Sequence, residues 1–348
     1  MRIKKFLIVG VVALIGIILL GVLSFAVLVN KSLPKDNGEL SHSSIEHNVD
    51  VFKDKWGIPH IKAKNQHDAI FAYGYSVAKD RLFQMDLQRR VAQGRLSEIL
   101  GDDLIEIDIM FRRFLFKHWS EEYLANDPID SSALAYVDAY LQGVNCFIET
   151  GPVPFEYQLI GAEVEPFSRI DVTSMIAYMA FTFMDGFRFD GLYSVLKEKV
   201  GPKNIQILFP DYADNNSLTI KEERVDVIPK RTYEIDSAPE IDSIQDLTYF
   251  FNLSDEANRW NPPFHGSNSW ILAPSRSVNG KPILANDPHI GISKPDVWYE
   301  AHVSYPGYNN YGYYVPMIPF PLIGHDDFKA WGLTMFENDE LDLYKETF

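Results

Sequence analysis

From Phe6 to Val29 the chain carries no charged residue, and nearly every side chain in that stretch is apolar. About 20 such residues cross the hydrocarbon core of a bilayer as a helix, because a helix satisfies its own backbone polar groups. Arg2, Lys4 and Lys5 precede the run, and basic residues stay on the cytoplasmic side. Residues 1–30 are therefore expected to be a membrane anchor that places everything after Lys31 outside the cytoplasm. Ser24-Phe25-Ala26 also has the small-x-small form of a signal-peptidase site, which would make the protein secreted. The run stays apolar through Val27, Leu28 and Val29, which favours the uncut anchor.

Residues 31–48 are polar and read as a tether. Alternation then predicts two short strands, at Val49 to Asp54 and Gly57 to Ala63, joined by a turn. His67 to Leu100 has helical spacing of Ile70, Phe71, Val77, Leu82 and Met85, with Gly101 as its expected stop. Further helices are expected at Ser131 to Glu149 and Ile170 to Val200. The second holds Met175, Tyr178, Met179, Phe181, Phe183, Met184 and Phe187, which suit either a core or the wall of an apolar pocket. Cys146 is the single cysteine, so no internal disulfide exists, and its apolar neighbours predict a buried structural thiol.

Between about Tyr212 and Asn261 periodicity fades and acidic residues gather among Lys, Ser, Thr and Pro, the pattern of a linker. Strand alternation returns at Ser267 to Leu272, followed by a hairpin-like turn at Ser277-Val278-Asn279-Gly280 and a strand at Pro282 to Asn286. The sequence stops in a half-apolar stretch, so a longer polypeptide is expected. The 32 basic and 48 acidic residues give a net charge of −16, which repels phosphate backbones and argues against nucleic-acid binding.

His265-Gly266-Ser267-Asn268-Ser269-Trp270 is where the chemistry concentrates. A serine hydroxyl needs a base, and no Gly-x-Ser-x-Gly elbow is present to supply the usual arrangement. If the chain is cut before Ser267, the freed α-amine becomes that base, with a pKa near ~8. Glycine at 266 leaves the scissile carbonyl open and tolerates strained backbone. On local grounds alone the pair is equally an ordinary turn or strand start.

The neighbouring motifs give it weight. Gly57-Ile58-Pro59-His60-Ile61 and Ala72-Tyr73-Gly74-Tyr75-Ser76-Val77-Ala78-Lys79-Asp80-Arg81-Leu82-Phe83-Gln84-Met85 come first. Gly266-Ser267-Asn268-Ser269-Trp270 and Gly280-Lys281-Pro282-Ile283-Leu284-Ala285-Asn286-Asp287-Pro288-His289 follow. Gly324-His325, Ala330-Trp331-Gly332-Leu333-Thr334, Asp339 and Asp342 complete the set. From about Val51 onward the chain thus resembles the penicillin acylase family of N-terminal-nucleophile hydrolases. The resemblance implies an α+β fold, the αββα sandwich. It divides the chain into an α-chain region at 49–211, a linker at 212–266 that maturation cuts or removes, and the start of the β-chain at 267–348.

It also implies roles. Ser267 matches the nucleophile and new N-terminus of the β-chain. Met335 matches the residue whose backbone N–H forms half of the oxyanion hole, the other donor being an Asn further downstream. His289 matches a histidine found near the serine in acyl-homoserine-lactone and glutaryl-cephalosporin acylases, either orienting the Ser267 hydroxyl or relaying its proton, or lying structurally behind it. Asp339 and Asp342, with Asp185 or Asp190, match carboxylates around a structural calcium, a hard cation that takes oxygen ligands; solvated loop charges are the other reading. Met179, Phe183 and Ile290 match the lining of an acyl pocket. Asp326 departs from the family's usual Asn and puts the geometry of its loop in question.

The expected function is hydrolysis of a small linear amide between an apolar acyl group and an amine, with no organic cofactor, by the α- and β-chains of one precursor. An acyl-homoserine-lactone acylase is the neighbouring alternative, and a surface-anchored binding relative without activity the distant one.

Overall fold

The computed structural model of the chain describes residues 2–183, 199–208 and 264–335, with a few single helical positions between them. The chain divides into two compact units, Met1–Ala180 with Ala257–Met335, and Phe181–Glu256 with Phe336–Phe348. The second unit's described part is chiefly one short helix, 202–208, whose Ile205 is buried. The linker expected at 212–266 lies almost wholly outside the described residues.

The first unit begins with helix α1 (Arg2–Ser32), the one helix among the described residues that is long and apolar enough to cross a membrane. Its 31 residues rise about 46 Å at 1.5 Å each. Strands β1 (Asp50–Lys53) and β2 (Pro59–Lys62) follow as expected. Helix α2 runs Gln66–Gln93. It starts where the Asn65 side chain accepts from the Asp68 N–H at 2.7 Å, one of the orphan donors of a first turn. It ends seven residues earlier than the expected stop, at Gly94. There the backbone adopts the left-handed conformation (φ 63°) that lets its N–H return to the Arg90 and Val91 carbonyls. A separate turn, α3 (Ser97–Leu100), then precedes Gly101. Helices α4 (Ile105–Phe114), α5 (Phe116–Asn126), α6 (Ser131–Thr150), α7 (Phe155–Ile160) and α8 (Arg169–Thr182) complete the helical part.

Six strands form one sheet in the order β1-β2-β5-β6-β7-β8. Its later members are β5 (Tyr299–Tyr305), β6 (Tyr308–Tyr314), β7 (Ile323–His325) and β8 (Ala330–Trp331). Only the β2–β5 pair is parallel, which joins the start of the chain to the segment after Ser267. Helix α2 covers this sheet: Tyr73 is fully buried, with its ring centroid 4.5 Å from Tyr314 on β6 and 6.2 Å from Tyr299 on β5. Helix α6 packs on α2 closely enough that a Cβ at Gly143 would lie 1.9 Å from the Phe71 carbonyl oxygen. Strands β3 (Phe264–Leu272) and β4 (Ile283–Ile290) pair antiparallel as a separate two-stranded ribbon. The chain is thus a mixture of helix and mainly antiparallel sheet.

Two buried groups bear out or refine the sequence reading. Cys146 is buried in α6, and loss of solvent pushes its thiol above the ordinary range, so it is a structural side chain. Met175 and Tyr178 of the aromatic patch are core, Tyr178 standing edge-on to Phe111 at 5.3 Å, whereas Met179 is half-buried.

Asp68 pins the tether to α2, its two carboxylate oxygens accepting from the Glu46 and His47 N–H groups at 3.0 and 2.9 Å. Burial pushes the carboxyl up, but those two donors and the His67 and His47 rings outweigh it and hold it below the ordinary range. A depressed carboxylate stabilises above its unfolded pKa and loses that contribution as pH falls through the folded one. Asp68→Asn is therefore expected to cost about 1–3 kcal/mol at neutral pH, because the amide replaces the charged acceptor and leaves one of the two N–H groups facing its NH2. Faster amide exchange at Glu46 and His47 would show it, and the gap from wild type should close below pH ~4.

Candidate active site

Ser267 sits on β3, which pairs with β4 so that Ser267 faces Pro288, Gly266 faces His289 and Asn268 faces Asp287. The ladder shifts register between Phe264 and Gly266, and Gly266 takes φ +154°. A Cβ there would meet only the His289 Nδ1, at 3.6 Å, an ordinary contact. Conformation, and not crowding, is therefore what asks for glycine immediately before the serine.

Side chains alternate along a strand, and directly paired residues share a face. Ser267, Ser269, Asn286 and Pro288 consequently fall on one side of the ribbon, and Gly266, Asn268, Asp287 and His289 on the other. His289 Nε2 lies 3.2 Å from both Asn268 Nδ2 and Asp287 Oδ2. The His289 ring is therefore held across from Gly266, on the face opposite the Ser267 side chain. Ile290 is half-buried at the end of β4, where it pairs with Phe264.

The segment carrying Met335 is tied to this ribbon by a residue for which the sequence supplied no role. Leu333 N–H donates to Asn286 Oδ1 at 2.9 Å, and Asn286 Nδ2 donates to the Leu333 and Asn268 carbonyls at 3.0 Å each. One amide thus spans from the residue after Ser267 to a residue two before Met335. Gly332 is the matching requirement: a Cβ there would sit 2.6 Å from Asn286 Oδ1. The sequence signal was present in the run Ala285-Asn286-Asp287-Pro288 and in Trp331-Gly332-Leu333, but nothing local joins residues separated by 47 positions.

The substitution at 326 turns out to be compatible with an ordered loop. Asp326 Oδ1 accepts from the Phe328 and Lys329 N–H groups at 2.8 Å each, closing the turn between β7 and β8. Only one acceptor oxygen is used, which an Asn amide would also offer. The Phe328 and Lys329 bonds hold the Asp326 carboxyl below its ordinary range, so the turn is expected to lose this support only at pH below that range. Asp326→Asn should therefore keep turnover within about twofold of wild type at neutral pH, because the one acceptor oxygen that the turn uses is retained. A much larger loss in a steady-state assay would mean that the charge itself matters.

Of the other expected site residues, Met179 lies on α8 in the first unit, and Phe183 follows the last residue of α8 and belongs to the second unit, which begins at Phe181. Asp185, Asp190, Asp339 and Asp342 lie outside the described residues. Among the described residues no group of three or more His, Cys, Asp or Glu could hold a metal ion.

The penicillin amidase family model matches residues 48–348. The chain belongs to the penicillin amidase family. It is 34% identical over 323 residues to a penicillin acylase 2 proenzyme of Pseudomonas sp. strain SE83, covering 91% of this chain and 40% of that protein. It is 28% identical to the acyl-homoserine lactone acylase QuiP of Pseudomonas aeruginosa, over 90% of this chain and 36% of QuiP. A solved penicillin G acylase from Alcaligenes faecalis shares 26% identity over 50% of this chain and 95% of its own, with a TM-score of 0.40, too low to define the fold. The chain therefore spans about two fifths of the length of the curated penicillin amidase relatives it matches.

Proposed function

We propose that this chain is the front part of a self-processing amidohydrolase, cut between Gly266 and Ser267, that splits linear amides of apolar acyl groups. The observation that carries the reading is Gly266 at a register shift with φ +154°, directly before a serine at the family's motif. In the uncut chain Ser267 N is a peptide nitrogen; after the cut it is an amine placed beside its own hydroxyl. That amine takes the hydroxyl proton, the alkoxide attacks the amide carbonyl, and the Met335 N–H donates to the resulting oxyanion. The amine product leaves and water releases the acid. His289, across from Gly266 and in contact with Asn268 and Asp287, is proposed to support the site from behind the ribbon. Met179, Phe183 and Ile290 are proposed to line the acyl site, and an apolar acyl chain is the guest such side chains favour. The αββα sandwich, the α1 anchor with an extracytoplasmic catalytic part, and a structural calcium at Asp339, Asp342 and Asp185 or Asp190 complete the proposal. No chemical step runs through the calcium.

The similarity to QuiP supports a second substrate reading, acyl-homoserine lactones. Intact mass and N-terminal sequencing of the full-length protein test the cut: two chains are expected, the second beginning at Ser267. An undivided wild-type protein would remove the proposal. Release of phenylacetate from penicillin G against release of decanoate from decanoyl-homoserine lactone separates the two substrate readings.

A further inference from the structure

We propose that Asn286 is the positioning residue that holds the Met335 backbone N–H in register with Ser267, an inference that rests on the function proposed above. Strand β8 ends at Trp331, so Leu333 has left the sheet ladder. The Asn286 amide replaces the missing strand: its oxygen accepts from Leu333 N–H, and its NH2 group donates to Leu333 C=O. The second N–H of the same group donates to Asn268 C=O. A carboxamide is the shortest side chain that offers an acceptor and two donors in one plane, and here both donors and the acceptor are engaged. Only two soft dihedrals, those of Thr334, separate the bonded Leu333 C=O from the Met335 N–H, and Asn268 is one residue from Ser267. Fixing the Leu333 and Asn268 peptides on one rigid group therefore fixes the donor relative to the nucleophile. Gly332 completes the device, because only a residue without a Cβ lets the Asn286 side chain lie against the backbone at that point.

Asn286→Asp keeps the shape but replaces both donors with an oxygen facing two carbonyls. Misplacing a reacting group by about 1 Å costs on the order of 10²-fold, so kcat is expected to fall about 10- to 100-fold. KM should stay within about threefold, because the acyl site is untouched. The assay uses the full-length self-cleaved protein with a phenylacetyl anilide and decanoyl-homoserine lactone, counting only molecules whose mass shows the cut. Binding of a phenylmethylboronic acid, which forms a tetrahedral adduct, should weaken with kcat, while binding of phenylacetate should not.

Unchanged kcat, a rise in KM alone, or equal loss of boronate and phenylacetate binding would overturn the inference. If Asn286→Asp fails to mature, the same measurements are made on Gly332→Ala, which keeps the amide but displaces it. Failure of both to mature would make the bridge a folding element and also overturn it. Ser267→Ala run in parallel keeps the two ideas apart. Surviving activity in Ser267→Ala removes the proposed function, whereas an inactive Ser267→Ala beside a fully active Asn286→Asp removes only this inference.

Discussion

Ser267→Ala is expected to give an uncut protein with no measurable amide hydrolysis. Without the hydroxyl there is no acyl shift at Gly266 and no acyl-enzyme, and in the uncut chain there is no free amine to act as base. Losing a nucleophile of this kind costs at least about 10⁴-fold in kcat. Stability should be almost unchanged, because Ser267 is only half-buried on a two-stranded ribbon. Steady-state kinetics beside a thermal melt would check both halves, and hydrolysis within tenfold of wild type would end the case for this serine. In the proposed mechanism the α-amine must be neutral to accept the proton. The rate should therefore fall as pH drops through its pKa, near ~8 before the protein perturbs it. A rate that stays flat down to pH ~5 would point to a different base.

The second large effect concerns the fold. Gly143→Ala should be strongly destabilising although alanine is the better helix former by about 1 kcal/mol. The added Cβ would stand 1.9 Å from the Phe71 carbonyl oxygen and 2.8 Å from the Tyr75 nitrogen, both backbone atoms of α2. No side chain can rotate aside, so α2 and α6 must move apart. That loosens Tyr73 from Tyr140, whose rings lie 5.6 Å apart. Overpacking of this kind costs about 1–3 kcal/mol and sometimes more, against a total stability of about 5–15 kcal/mol. A fall in Tm of several degrees, or loss of soluble protein, is the expected result. A melting curve equal to that of wild type would show that the helices have room to spare.

Legibility from sequence differed by kind of feature. The apolar run, the helix at Ser131 and the strands around Ser267 were readable because their signals are local: composition, period 3.6, period 2. The end of α2 was misread because Leu96 and Leu100 continue the apolar spacing past Gly94. Only the left-handed conformation of Gly94 and its bonds to Arg90 and Val91 decide where that helix stops. The aromatic patch on α8 was ambiguous for a related reason. Which of its faces is buried depends on what packs there, and Met175 and Tyr178 found the core.

At the site, the sequence by itself determined the family: a serine after a glycine, within motifs that mark the penicillin amidases. The tertiary structure decided the geometry. The β3–β4 register put Asn286 on the face of Ser267 and His289 on the opposite one, and a 47-residue separation closed into two hydrogen bonds between Asn286 and Leu333. Residue types and their order can name a reaction because chemistry belongs to single side chains. Which side chain stands next to which is fixed by strand pairing and packing between distant segments, and that is settled only when the chain folds.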